Sequence, residues 1–236
     1  MSEIADNWRR VRARVDAAAG RVGRDPAGIR VVVASKTKSV DEIEQAIAAG
    51  AVDFGENYVQ EAGAKIPLLR ARPVTWHLIG HLQRNKAARA AELFDVVQTI
   101  DSSALAAALA RQAAERQRRL RVLIEVNLGG EEAKSGVVVD EVAGLASTVL
   151  SFPSLELDGL MAIPPAPEDA GPEASRPHFR RLRELRDDLA MRLGARLPQL
   201  SMGMSDDYEI AIEEGATMVR IGRAILGARP PRRDDG

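Results

Sequence analysis

The chain has 236 residues, a formal net charge of −1 and no cysteine. The small net charge gives no field that would attract nucleic acid or an anionic membrane, so we expect neither as a partner. Without cysteine there are no disulfides, thiolate metal ligands or cysteine nucleophile, and the three histidines do not predict a metal site.

The N-terminal segment is charged and amphipathic, which predicts a helix over 3–19 and not the apolar core of a signal peptide. No window of the sequence approaches the roughly 20 apolar residues that cross a membrane. Because a chain without cysteine also suits a reducing compartment, we expect a cytoplasmic protein.

After this helix, short β-branched runs alternate with longer amphipathic helical patterns. The predicted strands are 30–36, 51–56, 75–80, 96–101, 121–128, 156–163, 199–204 and 218–222. The predicted helices between them are 40–49, 58–71, 84–93, 102–119, 139–150, 175–193 and 206–214. Ser39 and Glu42 have the spacing of a capping box, which places the start of one helix.

Repeated strand–helix units predict a parallel sheet, because parallel neighbours need a crossover connection. Eight such units in a chain of this length fit a single (β/α)8 TIM barrel, preceded by an extra N-terminal helix. An open doubly wound sheet is the alternative. We expect one domain over 1–229, a loop over 164–177 and a disordered tail over 230–236.

Polar residues follow the predicted strands where a barrel places its chemistry, at their carboxyl ends. Lys36 is the most unusual of them, because it directly follows an apolar strand. A buried lysine has a lowered pKa, and its neutral amine is a nucleophile that forms a Schiff base with an aldehyde. The alternative is a lysine that reaches solvent or pairs with Glu56.

The segment LSMGMSDDYEIAIEEG predicts a strand, a tight turn and a helix, with Ser205 as the N-cap. Backbone N–H groups at such a turn, together with the Ser205 hydroxyl, form an anion site. Barrels often bind phosphate after strands seven and eight, and barrel closure places this region beside Lys36. An amine facing a phosphate site suits pyridoxal 5′-phosphate (PLP); another phosphate ester, with Lys36 in an ion pair, is the alternative.

Five motifs give the chain a family resemblance: VVVASKTKS, DFGENYVQE, WHLIGHLQRNK, GLMAIPP and LSMGMSDDYEIAIEEGATMVRIGRAILGAR. They span 31–229 and resemble the pyridoxal phosphate homeostasis proteins, relatives of the barrel domain of bacterial alanine racemase. The resemblance implies a fold-type III PLP barrel with PLP as its cofactor.

The resemblance also implies roles for individual residues. Lys36 is similar to the lysine that holds PLP as a Schiff base. Ser205, Ser201 and the N–H groups of Gly222 and Arg223 resemble the phosphate clamp, although the family usually has a small residue at Arg223. The remaining implied contacts are the arginine beside the pyridine nitrogen, two polar ring contacts and an apolar wall: Arg220, Asn57, His77 and Met161.

The implied function is PLP homeostasis, in which the chain holds PLP on Lys36 and releases it without sustained catalysis. Similar racemases use a tyrosine from a second domain of a partner subunit, whereas Tyr58 and Tyr208 lie at predicted helix starts. A racemase-like enzyme acting on amino acids is the alternative. The partners we expect are PLP and the apo forms of PLP-dependent enzymes, and we expect a monomer rather than a dimer.

Overall fold

The computed structural model describes residues 2–129, 135–164 and 171–227. In these ranges the strands are β1 (Arg30–Ala34), β2 (Asp53–Glu56), β3 (Thr75–Leu78), β4 (Val96–Ile100), β5 (Leu120–Asn127), β6 (Val137–Val138), β7 (Leu155–Met161), β8 (Gln199–Ser201) and β9 (Met218–Ile221). The α-helices are α1 (Glu3–Arg21), α2 (Val40–Ala48), α3 (Val59–Lys65), α4 (Ala87–Leu93), α5 (Ser103–Glu115), α6 (Val142–Leu150), α7 (Arg176–Leu193), α8 (Tyr208–Glu213) and α9 (Arg223–Leu226).

Eight of these strands form a closed parallel barrel. The strand order is β4-β3-β2-β1-β9-β8-β7-β5, and an additional pairing of β4 with β5 closes the ring. The short β6 pairs only with the end of β5, at Val126 and Asn127. The predicted (β/α)8 barrel is therefore confirmed, and the open sheet is wrong.

The N-terminal helix α1 completes the outer layer of helices. It packs against α8, α9 and α2. In a regular barrel, a long helix after the last strand would pack between α8 and α2. Here only the four-residue α9 follows β9, and α1 occupies that place. Ion pairs of Arg14 and Arg21 with Glu209, and of Arg21 with Glu213, join α1 to α8.

The main hydrophobic core lies between the barrel and the helices, as the alternation of each strand requires. On β5, for example, Val122, Ile124 and Val126 belong to this core, whereas Leu123 belongs to a separate cluster with Val96 and Met161. TIM-barrel interiors are usually filled by bulky branched residues. Here the barrel interior also contains buried polar side chains, among them His77, Gln98 and Ser201.

Several predicted boundaries were wrong. Strand 30–36 ends at Ala34, because the backbone turns at Ser35. Helix 206–214 begins only at Tyr208. The two-residue β6 and the four-residue α9 were not predicted, since neither is long enough to show a periodic pattern. Outside the described residues lie the tail 230–236, residues 165–170 of the predicted loop 164–177, and Lys134, which follows β5 in the chain.

No helix in the described part of the chain is both long enough and apolar enough to cross a bilayer. The capping box before α2 is confirmed: Ser39 accepts from the Glu42 amide, and the Glu42 carboxylate accepts from the Ser39 amide.

Candidate ligand site at the carboxyl ends of the strands

A cavity of about 560 Å³ opens at the carboxyl ends of β1 and β9. Six of the residues predicted to hold a cofactor line it: Lys36, Asn57, Ser205, Arg220, Gly222 and Arg223. Six further side chains line it and were not predicted from the sequence: Ala34, Lys38, Ile79, Ile163, Met204 and Asp206. The structure thus brings together residues that are separated by up to 187 positions in the chain.

Lys36 is presented by a tight turn and not by the strand itself. The Lys38 amide donates to the Ser35 carbonyl at 3.1 Å, and Thr37 between them has a φ of 64°. A β-branched residue rarely adopts this left-handed conformation, so the turn is strained. The Thr37 amide donates to the Glu61 carboxylate at 2.5 Å, which helps to hold the strained residue in place.

A buried lysine supports this turn from below. Lys65 Nζ donates to the Ser35 carbonyl at 2.9 Å and to Glu56 at 3.0 Å. The Ser35 hydroxyl also donates to Glu56, at 2.7 Å. Glu56, the carboxylate considered as a partner for Lys36, is therefore bound by Lys65 and Ser35. Sequence spacing gave no sign of this, because Lys65 lies 30 residues after Ser35.

Ser205 lies within the turn between β8 and α8, and its predicted role as an N-cap is wrong. Asp207 is the residue that precedes α8, and its carboxylate accepts from the Met204 amide at 2.7 Å and from Ser175 at 3.0 Å. Gly203 has a φ of 90°, and a Cβ there would lie 2.5 Å from Ala211. The turn therefore requires glycine, and it places Ser205 on the cavity wall.

The opposite wall is the junction of β9 and α9, at Gly222 and Arg223. The Arg223 guanidinium pairs with Asp206 at 2.9 Å, and both side chains are more than half exposed. The side chain of this unusual residue thus lies at the rim, and its ion pair links the two segments that were predicted to bind phosphate.

Arg220 is the buried cation of the site, with an exposed fraction of only 5%. Its guanidinium donates to the Ser201 hydroxyl at 2.7 Å and to the Ala162 carbonyl at 2.9 Å. Burial lowers the pKa of Arg220 to about 10, against the opposing effects of Glu125 and Asp207. Arg220 therefore stays charged at neutral pH.

Asn57 follows β2 and offers a buried acceptor to the cavity. Its Oδ1 atom is buried and has no hydrogen-bond partner among the described residues. Behind it lies Gly80, where a Cβ would be only 2.3 Å from the Asn57 carbonyl oxygen. Gly80 thus allows the two strand ends to approach closely enough to place Asn57 at the cavity.

Three of the predicted contacts do not line the cavity. Ser201 is fully buried and contacts Arg220 instead. Met161 packs inside the barrel with Val96 and Leu123. His77 is also fully buried, and both of its ring nitrogens are hydrogen-bonded, to Asp53 and Gln98.

The other chemical signals do not form a competing site. His81 contacts Asp101 at 3.3 Å, and no group of three or more potential metal ligands occurs within the described ranges. A cavity of about 510 Å³ lies at the amino ends of the strands, near Trp76 and Arg118. It lies away from Lys36 and the predicted phosphate-binding segments, so the cavity at the carboxyl ends is the candidate site.

Comparison with known proteins agrees with this geometry. The family model "Alanine racemase, N-terminal domain" matches residues 1–230. The pyridoxal phosphate homeostasis proteins of Pseudomonas aeruginosa and Escherichia coli K12 are 46% and 44% identical to the chain; each alignment covers 97% of this chain, and 97% and 98% of those proteins. PipY of Synechococcus elongatus, solved with PLP bound, is 34% identical with a TM-score of 0.79, over 91% of this chain and 100% of PipY. The chain belongs to the alanine racemase N-terminal domain family and, within it, to the pyridoxal phosphate homeostasis proteins.

Proposed function

We propose that the chain binds PLP in the cavity at the carboxyl ends of the strands, attached to Lys36, and carries it without sustained catalysis. One observation carries the proposal: Lys36, Ser205, Gly222 and Arg220 line the same cavity of about 560 Å³. The family membership and the PLP-bound structure of PipY support it. On the same grounds we propose a single PLP-binding domain over 1–229 and a cytoplasmic location.

The residues fit this cofactor. Lys36 supplies the amine, and Ser205 with the N–H groups of Gly222 and Arg223 would hold the phosphate. The buried Oδ1 of Asn57 has no partner among the described residues and is available to a ligand donor. PLP supplies an aldehyde that reacts with an amine and a ring that withdraws electrons.

Arg220 determines how strongly that ring withdraws electrons. A carboxylate beside the pyridine nitrogen would keep it protonated, whereas a fixed guanidinium charge disfavours its protonation. The burial of Arg220 strengthens this effect, because little water screens the charge. A weakly activated ring suits a carrier better than an enzyme that stabilises carbanions.

The positions of the two tyrosines also favour a carrier over a racemase. Tyr208 is buried below Arg14, whose guanidinium lies 5.5 Å from the ring centroid. Tyr58 is 62% exposed, and neither tyrosine lines the cavity. We propose apo forms of PLP-dependent enzymes as recipients, with this chain acting as a monomer.

Replacing Lys36 by alanine is expected to abolish the covalent adduct with PLP and to leave the fold intact. The protein is incubated with PLP, its visible spectrum is recorded, and the adduct is fixed with borohydride and located by peptide mapping. Because Lys36 is only partly buried in a turn, we expect the stability to change by less than about 1 kcal/mol.

The control variant is Lys86→Ala, since Lys86 does not line the cavity. It should form the adduct as the unmodified protein does. Mapping separates Lys36 from its neighbour Lys38, which lines the same cavity. An adduct on any other lysine contradicts the proposed attachment, and sustained exchange of the α-proton of an amino acid contradicts the carrier function.

Replacing Arg223 by alanine is expected to change the dissociation constant for PLP by less than about threefold. The side chain is exposed and paired with Asp206, and exposed ion pairs contribute at most about 1 kcal/mol. Arg223 is proposed to contact the phosphate through its backbone N–H and not through its side chain. A loss of affinity of tenfold or more, measured by titration, would show that the guanidinium itself binds the phosphate.

A further inference from the structure

A continuous series of buried hydrogen bonds crosses the barrel interior and ends at Arg220. Arg220 Nη1 donates to Ser201 Oγ at 2.7 Å. An arginine has no acceptor, so the Ser201 oxygen accepts and its own hydrogen is left to donate. It donates to Gln98 Oε1 at 2.6 Å. This fixes the orientation of the Gln98 amide, with its oxygen toward Ser201 and its nitrogen toward His77.

The series continues through His77 to the amino end of β1. Gln98 Nε2 lies 2.9 Å from His77 Nδ1. Because an amide nitrogen can only donate, His77 Nδ1 is the acceptor. The ring hydrogen of the neutral His77 is then on Nε2, which donates to Asp53 Oδ1 at 3.0 Å. Asp53 also accepts from Arg30, whose Nε lies 3.1 Å from Oδ2. One arrangement of hydrogens therefore satisfies all six residues.

A charged His77 is incompatible with this arrangement. Its Nδ1 would carry a hydrogen facing the Gln98 amide hydrogens, so Gln98 would have to reverse its amide. The reversed amide would direct hydrogens at Ser201, which already accepts from Arg220 and would lose the acceptor of its own hydrogen. The protonation state of His77 thus changes the hydrogen bonding at Arg220, three residues further along the series.

The surroundings of His77 favour the neutral form. Complete burial lowers the pKa of His77, and it outweighs the opposing effect of Asp53. Arg30 and Arg121 add to the lowering. Burial opposes ionisation of Asp53, but its bonds to His77 and Arg30 lower its pKa overall, so it remains a carboxylate. Asp158 also faces Arg30 and Arg121 from β7.

We propose that this series, from Arg30 through Asp53, His77, Gln98 and Ser201, is a positioning device that orients the Arg220 guanidinium for the cofactor through a neutral His77. The proposal rests on the proposed function, because Arg220 is assigned there to the pyridine ring. His77 and Ser201 are therefore positioning residues, which explains why neither lines the cavity.

The first test uses the protein without PLP. Two-dimensional ¹H–¹⁵N spectra of the histidine rings report the tautomer, and the chain has only His77, His81 and His178 to assign. We expect His77 to be neutral with its hydrogen on Nε2 at pH 7.5. A charged ring, or a hydrogen on Nδ1, would overturn the proposal whether or not PLP binds.

The second test breaks the series at a distance from the ligand. Gln98→Met removes its hydrogen bonds to His77 and Ser201, and Gln98 does not line the cavity or contact Arg220 through a hydrogen bond. Ser201→Ala removes the bond at Arg220 itself. For both variants we expect the dissociation constant for PLP to rise at least about tenfold and the absorption band of the adduct to shift. Ser154→Ala, which removes a bond to the Ala110 carbonyl, is the matched control and should change neither.

The outcomes separate this inference from the proposed function. If the unmodified protein forms no adduct on Lys36, the proposed function fails and this role for Arg220 fails with it. If it forms the adduct and both variants bind PLP with unchanged affinity and spectrum, only the positioning device is refuted. Reduced thermal stability with unchanged affinity and spectrum would mean that the series is structural, which also refutes it.

Discussion

Replacing Gly159 by alanine is expected to destabilise the barrel by about 3 kcal/mol, the upper end of the usual cost of overpacking. Gly159 lies in the middle of β7, opposite Gln199 on β8. A Cβ at this position would lie 1.9 Å from the Gln199 carbonyl oxygen and 2.7 Å from its carbonyl carbon. Both atoms belong to the backbone of a paired strand, so no rotamer change relieves the contact and the strands must separate.

The separation of β7 from β8 in this variant should also disturb the ligand site. Two residues after Gly159, Met161 pairs with Ser201, and the following Ala162 carbonyl accepts from Arg220. If the variant folds, we therefore expect weaker PLP binding as well as lower stability. Urea denaturation followed by circular dichroism measures the first effect, and titration with PLP measures the second.

Gly144→Ala is the matched control. Gly144 lies in helix α6, and a Cβ there meets no atom within 4 Å. Alanine in a helix is more favourable than glycine by about 0.5–1 kcal/mol, so this variant should be slightly more stable than the parent chain. Equal denaturation midpoints for Gly159→Ala and the parent would show that β7 and β8 can separate at little cost.

The barrel could be predicted from the sequence because its signals are local and repeated. Each strand is an apolar run, and each helix shows the spacing of apolar residues that is typical of an amphipathic helix. The capping box at Ser39 also marks where one helix begins. The turn that carries Lys36 could not be predicted, because Thr37 is a residue that seldom adopts positive φ. The N-cap was assigned to Ser205 and not to Asp207 for a similar reason: both are good capping residues, and only the backbone decides between them.

Among the predicted site residues, some line the cavity as expected, whereas others are buried inside the barrel. Residues one or two positions after a strand, such as Asn57 and Lys36, line the cavity, because the barrel brings strand ends together. His77 and Ser201 lie within strands, so their side chains are directed into the barrel interior by alternation. Their partner Gln98 lies 21 residues from one and 103 from the other. Contacts of that separation leave no pattern in a single sequence.

Glu125 is a buried carboxyl group in the barrel interior that was not predicted from the sequence. It lies on β5 with an exposed fraction of 5%, and its Oε2 has no hydrogen-bond partner among the described residues. Burial raises the pKa of Glu125 to about 7; the nearby Arg220 opposes the rise and Asp101 adds to it. The folded protein therefore binds a proton at Glu125 more tightly than the unfolded chain does.

The sign of the pH dependence follows from this difference. Where the folded state binds more protons, the free energy of unfolding falls as pH rises. The stability linked to the Glu125 proton is fully present below pH 4.5 and is lost as the pH rises through about 7. Because a tenfold change in proton affinity is worth about 1.4 kcal/mol, complete ionisation should cost about 3 kcal/mol.

Replacing Glu125 by glutamine is expected to remove this pH-dependent loss. Glutamine has nearly the same shape and no charge, so the variant should match the parent near pH 4.5 and exceed its stability by about 3 kcal/mol at pH 8.5. Urea denaturation at several pH values measures the difference. Glu156→Gln, at an exposed ion pair on the neighbouring strand β7, controls for the loss of one negative charge. A stability difference that does not change with pH would mean that Arg220 already compensates the Glu125 carboxylate in the folded barrel.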